Sequence, residues 1–203
     1  LVSDWSSDVC SSDLWLPANQ ASFTFSSTRT GATYSCSLDG AAAAPCSSPY
    51  TIGALRPGSH VVTIAATHGS KSDPTPVRSV FTVLEGAKAL KAKNTAWTKA
   101  NGRDAYLGKY WQTRGKGRVL TLKKPVAGAW QLALVGATSP KAGKVKVYVG
   151  KKLVGKVNLK GPKSANTVLA LTPGTTARSG KVRIVTATGK PVKLAGIGIA
   201  TTL

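Results

Sequence analysis

The sequence of 203 residues has no methionine, two histidines, seven aspartates and glutamates in total, and three cysteines. With so few imidazole and carboxylate side chains, we expect neither enzyme activity nor a bound metal or cofactor. The apolar runs end after about half a dozen residues, far short of the roughly 20 that a membrane-spanning helix needs, so no transmembrane segment is expected. The lack of methionine indicates a piece of a longer reading frame.

Positive charge is what the chain has in excess. Its 28 lysines and arginines give a formal net charge of +21 at pH 7. The hydrophobic share of 42% is sufficient for ordinary protein cores. A chain of this length is typical of one or two small domains.

Residues 1–14 read LVSDWSSDVCSSDL and show neither helical nor strand periodicity. Within them, residues 4–14 resemble the translation of a common short-read sequencing adapter. A disordered acidic leader or a cloning scar is the alternative. Either origin predicts an artefactual, disordered leader outside the fold. Without it, residues 15–203 hold all 28 cations, four of the seven anions and two of the three cysteines.

Residues 15–86 are rich in Ser, Thr, Gly and Pro and carry almost no net charge. Aromatic and β-branched runs at 22–26, 32–38, 61–66 and 80–84 alternate with turn signals such as Asp39-Gly40. Such runs at short, regular spacing predict antiparallel strands. We therefore expect a small β-sandwich.

An ordered series of motifs covers most of residues 22–84. It consists of Tyr34, Cys36, Leu38, Asp39 and Gly40; Cys46, Ser48 and Pro49; Leu55, Gly58 and His60; Ala66 and Thr67; Pro74, Thr75 and Pro76; and Phe81 and Val83. The series resembles the Ig-like domains of secreted and surface proteins of bacteria. The resemblance implies an Ig-like sandwich in an extracellular or cell-surface protein.

Cys36 and Cys46 are the two cysteines of this segment. A disulfide between them suits an exported, oxidising setting and is expected to stabilise the fold by roughly 2 to 3 kcal/mol. A thiol or zinc site is the alternative, although zinc needs two further ligands. A Ser/His/Asp triad can also be composed on paper from Asp39 or Asp73, His60 or His68, and a serine, but no G-x-S-x-G motif is present.

Residues 87–95, AKALKAKNT, predict a linker or the lead-in to a first strand. From residue 96 onward, apolar and basic positions alternate, most clearly at 144–149, 181–185 and 192–194. This period of two predicts strands with one apolar and one basic face. Residues 87–203 hold 24 cations and one anion, so nearly all of the net charge belongs to this part.

The run 144–160 predicts a β-hairpin whose register follows from its apolar residues. A three-residue turn at 150–152 pairs Val149 with Leu153 and Val145 with Val157, which keeps the apolar side chains on one face. The same register places Lys146 opposite Lys156. That like-charge pair costs a few tenths of a kcal/mol unless an anion lies between the two side chains.

Three further segments carry a second resemblance: 128–134, then Pro140 to Gly143 followed by the run VYVGKK at 147–152, and the closing strands at 180–199 with Arg183 and Ile184. They are similar, more loosely, to jelly-roll carbohydrate-binding modules at the ends of bacterial surface proteins. We therefore predict an all-β chain of two β-sandwich domains. These are an Ig-like domain at 15–86, a linker at 87–95 and a basic jelly-roll-like domain at 96–203.

Aromatic side chains offer stacking platforms for sugar rings, or for the bases of single-stranded nucleic acid. The candidates are Tyr110, Trp111 and Tyr148, with core packing as the alternative. For Trp97 and Trp130 we favour the core, because a tryptophan on an alternating strand normally points inward.

Lysines on exposed strand positions solubilise a sheet and block edge pairing. One anion among 24 cations nevertheless leaves a repulsion that a polyanionic ligand would relieve. The 19 lysines against five arginines favour diffuse attraction over bidentate recognition. The ligand we expect is therefore an anionic polysaccharide or wall polymer, with nucleic acid as the next candidate.

We predict a non-catalytic, extracellular or cell-surface module that forms the C-terminal part of a larger bacterial protein. The predicted binding residues are Lys144, Lys146, Lys156, Lys181, Arg183, Lys193, Tyr110, Trp111 and Tyr148. The alternatives are a structural spacer without a ligand, or an accessory domain of an enzyme whose catalytic part is missing upstream.

Overall fold

The computed structural model describes residues 14–17, 19–174 and 176–201. The predicted leader lies outside these residues, apart from Leu14, which begins the first strand. The chain divides into two compact units between Val83 and Leu84. Strands make up nearly all of the regular structure, which confirms the predicted all-β class. None of the helices in the described part has the length and apolar character to cross a membrane.

The first unit contains a six-stranded sheet in the order β1-β8-β6-β3-β4, with β7 paired to β6, and a two-stranded sheet of β2 and β5. The strands are β1 (Leu14–Leu16), β2 (Ala21–Phe23), β3 (Thr33–Leu38), β4 (Ala44–Cys46), β5 (Tyr50–Ile52), β6 (Gly58–His68), β7 (Lys71–Ser72) and β8 (Val77–Val83).

The core of this unit lies between its two sheets. Phe23 of the small sheet packs against Phe81 of the large sheet, with ring centroids 5.4 Å apart. Cys36 and Cys46, on the neighbouring strands β3 and β4, form a disulfide. The predicted cysteine pairing is therefore confirmed, and the pair joins the edge strand to the body of the sheet.

The second unit consists of a five-stranded sheet in the order β10-β13-β19-β15-β16 and a seven-stranded sheet in the order β11-β12-β20-β14-β17, where β18 pairs with β14 and β9 with β20. The strands are β9 (Glu85–Gly86), β10 (Leu90–Ala92), β11 (Thr98–Asn101), β12 (Lys109–Thr113), β13 (Val119–Leu122), β14 (Val126–Thr138), β15 (Lys144–Val149), β16 (Lys152–Asn158), β17 (Ser164–Ala170), β18 (Arg178–Gly180), β19 (Val182–Thr186) and β20 (Val192–Thr201). Two 3-10 helices span Ala87–Ala89 and Tyr106–Gly108.

These two sheets bury their apolar faces against each other. Val147 and Ile184 of the five-stranded sheet, and Leu134 and Leu194 of the seven-stranded sheet, are all fully buried in one core cluster. Residues that alternate with them, such as Lys146 and Lys193, point out of the sandwich. The predicted period of two is confirmed for these strands.

Of the two expectations for residues 87–95, a linker or the lead-in to a first strand, the first six residues match the lead-in to a strand. Ala87–Ala89 form a 3-10 helix, and Leu90–Ala92 form the edge strand β10, which pairs with β13. Leu90 is fully buried in the core of the second unit. The burial of this one leucine explains why the Ala/Lys stretch joins the sheet.

The β15–β16 hairpin combines the predicted register with a second register near the turn. Val145 pairs with Val157 and Lys146 with Lys156, as predicted. The predicted pairing of Val149 with Leu153 is wrong, because Val149 lies opposite Lys152 across a two-residue turn. A β-bulge between the two registers accounts for the difference, since one extra residue on β16 restores the apolar pairing farther from the turn.

The two tryptophans assigned to the core have different surroundings. Trp97 is buried in the core cluster of the second unit, as predicted. Trp130 is only half-buried and lies at an irregularity of the pairing between β14 and β20. The bulge interrupts the alternation on which the prediction for Trp130 depended.

Gly196 of β20 lies where β9 and Tyr106 leave no room for a side chain. An added Cβ would collide with the carbonyl oxygen of Glu85 and lie 2.9 Å from Cδ1 of Tyr106. We expect Gly196→Ala to lower the free energy of unfolding of the second unit by about 1 to 2 kcal/mol, because the β9–β20 pairing must shift. Chemical unfolding would measure the difference. Gly189→Ala is the matched control, since Gly189 faces open space; equal midpoints for the two variants would contradict the prediction.

Candidate functional site

The outer face of the five-stranded sheet collects lysine and arginine side chains. We call it the basic face and define it by seven cations on its strands or next to them. Its cations are Lys91, Lys93, Lys144, Lys146, Lys156, Lys181 and Arg183. Five of the predicted binding residues, Lys144, Lys146, Lys156, Lys181 and Arg183, therefore share one surface.

Toward one edge of the basic face, two lysines lie directly opposite each other on β15 and the edge strand β16. Lys146 of β15 pairs with Lys156 of β16. On its other side, Lys146 pairs with Val185 of β19, so no carboxylate adjoins it across either strand. Like charges on directly opposed residues of neighbouring strands repel each other, and an anion between them would relieve the repulsion.

Arg183 is held in place on the same face. Its guanidinium lies over the ring of Tyr148, with Cζ 5.1 Å from the centroid. Its Nη2 also donates a hydrogen bond of 3.2 Å to the carbonyl oxygen of Gly150. These two contacts orient the planar donor group before any ligand arrives, and such a group suits carboxylate, sulfate or phosphate oxygens. They also place Arg183 on one face of the Tyr148 ring, so only the other face of the ring is open for stacking with a ligand.

A groove of about 450 Å³ crosses the basic face beside Arg183. Four cations line it: Lys91, Lys93, Lys181 and Arg183. The sequence prediction missed Lys91 and Lys93 because their segment was interpreted as a linker. Leu90, Lys91 and Ala92 alternate as strand residues do, but three residues are too few for a clear periodic signal.

The acidic residues of the second unit lie outside the five-stranded sheet. Glu85 belongs to β9 of the seven-stranded sheet, and Asp104 follows β11. Burial raises the pKa of the Glu85 carboxyl above its usual value, and the charge of Lys124 partly offsets that rise. The strands of the basic face therefore contribute cations, but no carboxylate, to the electrostatic field at this surface.

Three predicted binding residues are not on the basic face. Lys193 and Tyr110 belong to the seven-stranded sheet and point outward from it, with the Lys193 Nζ 5.0 Å from the Tyr110 ring centroid. The ring of Trp111 packs against the core, and its Nε1 donates a hydrogen bond of 3.0 Å to the carbonyl oxygen of Ala87. The single lysine-rich surface expected from the sequence is thus divided between two sheets, and Trp111 is placed as a packing residue.

The first unit contains an Asp–His pair that resembles part of a catalytic triad. Nδ1 of His60 lies 2.7 Å from Oδ2 of Asp39, and its Nε2 lies 2.8 Å from the carbonyl oxygen of Arg56. Asp39 also accepts the backbone N–H of Val61 through Oδ1. Since both ring nitrogens of His60 lie against oxygen atoms of Asp39 and Arg56, neither faces a serine hydroxyl as a triad requires. The pair ties the turn after β3 to strand β6.

Within the described residues, no three His, Cys, Asp or Glu side chains gather closely enough to hold a metal ion. Asp73, the other aspartate considered for a Ser/His/Asp triad, is buried and accepts hydrogen bonds from the N–H and hydroxyl of Thr75. His68 lies exposed at the end of β6. Both residues therefore have local surroundings typical of turns and strand ends.

No protein-family model matches the sequence, and no curated protein matches it. Several solved structures are similar in shape. One is the CBM36-1 domain of a multidomain xylanase from the hindgut metagenome of Trinervitermes trinervoides, with 9% identity, a TM-score of 0.48, and coverage of 59% of this chain and 97% of that one. Another is the CBM6cm-2 module of Cellvibrio mixtus lichenase 5A in complex with cellotriose, with 17% identity, a TM-score of 0.44, and coverage of 59% and 97%.

A third similar structure is the secreted serine protease VesC from Vibrio cholerae, with 14% identity and a TM-score of 0.31. That likeness covers 92% of this chain and 49% of the protease. All three likenesses are distant in sequence and in shape, and they assign neither a family nor a ligand to this chain.

Proposed function

We propose that the second unit is a non-catalytic module that binds an acidic polysaccharide on its basic face. In this proposal the first unit is an Ig-like spacer domain, and the chain belongs to an exported bacterial protein that acts at the cell surface or wall. The observation that carries the proposal is the set of seven cations on one sheet face whose five strands contain no carboxylate.

The energetics of the bare face support a polyanionic ligand. The opposed Lys146 and Lys156 repel each other in the free protein. An anion placed between them would attract both ammonium groups and offset this repulsion. The four-cation groove beside Arg183 has room for a sugar ring with an acidic substituent. A ligand with regularly spaced carboxylates can contact the groove and the lysine pair along one chain.

The chemistry of the face favours a carboxylated polymer over nucleic acid. Six of its seven cations are lysines, which act as point charges rather than as planar forks that read bases. The one aromatic ring beside Arg183, Tyr148, is covered on one side by the guanidinium, which leaves little surface for base stacking.

The test is a binding assay of the full chain against four immobilised polymers: polygalacturonate, wall teichoic acid, duplex DNA and neutral xylan. We expect retention on polygalacturonate, none on xylan, and an affinity that falls at least about ten-fold between 50 and 200 mM salt. Equal affinity for xylan, or an affinity insensitive to salt, would contradict the proposal. Tighter binding to DNA would assign the face to nucleic acid, and no retention on any polymer would favour a spacer.

A further inference from the structure

A second charged surface lies on the outer side of the seven-stranded sheet. Lys193 is exposed there between Val192 and Leu194, both of which are buried in the core. Three adjoining depressions all include Lys193 in their walls. We call the two that share a floor of alanines the Lys193 groove.

The first part of the Lys193 groove has a volume of about 220 Å³ and brings opposite charges together. Arg103 and Lys193 line it with Asp104 and Tyr110. Cations in this arrangement attract a carboxylate, while an aspartate beside them accepts hydrogen bonds from hydroxyl groups. This combination matches a sugar that carries both kinds of substituent.

The second part, of about 250 Å³, continues the groove toward Lys163. Both parts contain Ala137 of β14 and Ala165 of β17, so they form one continuous depression. Small side chains at these positions lower the floor between the larger side chains of the walls. The resulting space is suited to one or two sugar rings.

The wall at Asp104 is formed without a ligand. Asn166 of β17 accepts the backbone N–H of Tyr106 through Oδ1 over 2.6 Å, and its Nδ2 donates to the carbonyl oxygen of Asp104. The hydroxyl of Tyr106 donates in turn to the carbonyl oxygen of Leu84 over 2.9 Å. The loop that carries Arg103 and Asp104 is therefore tied to β17 through Asn166, and Tyr106 ties its end to the residue before β9.

Tyr110 positions the lysine. The Lys193 Nζ lies 5.0 Å from its ring centroid, within the range of a cation–π contact. The ring itself packs closely over Gly102, where an added Cβ would lie 2.9 Å from Cε1 of Tyr110. The ammonium is thus directed into the groove by a ring whose own position is fixed.

The Lys193 groove and the basic face point in opposite directions. Both sheets direct their other face into one shared core, and packed sheets lie about 10 Å apart. A single sugar residue cannot contact both surfaces. A long acidic chain bound on one side therefore leaves the other side open to a second chain.

We propose that the Lys193 groove is a second site for a carboxylated sugar residue, and that the module bridges two acidic polysaccharide chains. The bridging rests on the proposed function of the basic face. Two sites on opposite surfaces allow one module to cross-link two polysaccharide chains. A module bound to one chain is held near a neighbouring chain, where its effective concentration for the second binding step is high.

Two measurements on the full chain test the bridging: the stoichiometry for trigalacturonate by titration calorimetry, and the turbidity of long-chain polygalacturonate. We expect two trigalacturonates per chain, and turbidity that appears on mixing and dissolves again in excess protein. Lys193→Glu should lower the stoichiometry to one and abolish the turbidity while long-chain binding persists. The matched control Lys190→Glu, an exposed lysine in the preceding turn, should leave both at the wild-type level.

The outcomes separate the two proposals. If the wild type binds one trigalacturonate, and Lys193→Glu changes neither this stoichiometry nor the turbidity, the proposal for the Lys193 groove is overturned. The proposal for the basic face then stands. A stoichiometry of one that Lys193→Glu abolishes would contradict both the basic face and the bridging. A circular dichroism spectrum equal to wild type in the Lys193→Glu variant would exclude misfolding as the cause of a lost site.

Discussion

Replacing Lys146 and Lys156 together by glutamate should lower the affinity of the chain for polygalacturonate by about a hundred-fold at low salt, which corresponds to about 2.7 kcal/mol. The substitution turns two charges of the basic face that attract the polymer into two that repel it. Contacts between exposed charges are each worth up to about 1 kcal/mol, so four units of charge change account for a loss of this size.

The fold should tolerate this double substitution. Both positions are on the outer face, and the variant exchanges one like-charge pair for another, so the cross-strand repulsion stays similar. The matched control is Lys88→Glu with Lys160→Glu, which makes the same change of net charge at exposed positions outside the strands of the basic face. An equal loss of affinity in the control would show that net charge alone, rather than the basic face, governs binding.

The single substitution Lys146→Glu separates a binding surface from a solubilising one. It creates a Glu–Lys pair across β15 and β16, which is expected to stabilise the sheet by a few tenths of a kcal/mol. A binding surface therefore keeps the Lys–Lys pair at a small cost in stability. If Lys146→Glu raises the unfolding midpoint and leaves polygalacturonate binding unchanged, the lysines serve solubility alone.

Local alternation made much of the second unit predictable from sequence. Buried Val145 and Val147 alternate with Lys144 and Lys146, and this alternation defines which side of β15 faces the core, whatever the topology. The pairing of Lys146 with Lys156 followed from the same pattern, because the hairpin brings together residues close in sequence. The Cys36–Cys46 pairing was also predictable, since a disulfide joins adjacent strands of one hairpin.

Non-local pairing set the limits of prediction for the candidate site. β20 lies between β12 and β14, so Lys193 is placed on the seven-stranded sheet by partners far away in sequence. Alternation shows that Lys193 points outward, but it does not show from which sheet. The groove near Arg183 depends in the same way on β10, a three-residue strand that is too short to give a clear periodic signal.

Removing the disulfide by Cys36→Ser with Cys46→Ser should lower the free energy of unfolding of the first unit by about 3 kcal/mol. The bond closes a loop with a sequence separation of 10, and it holds the short edge strand β4 against β3. Cys36 is also 3% exposed in the core of this unit, so the serine hydroxyl would be buried beside apolar side chains. The unfolded chain gains freedom and the folded unit loses packing, and both changes act in the same direction.

The measurement is calorimetric unfolding of the full chain with and without reductant. Because the chain has two compact units, we expect the double variant to shift only the transition of the first unit, and reductant to produce nearly the same shift in the wild type. Ser47→Ala, at an exposed position beside Cys46, is the matched control and should shift neither transition. A shift of both transitions in the double variant would contradict the independence of the units. A shift of neither would show that the β3–β4 hairpin is held by its backbone pairing and by the Tyr34 and Phe25 rings, whose centroids lie 4.8 Å apart.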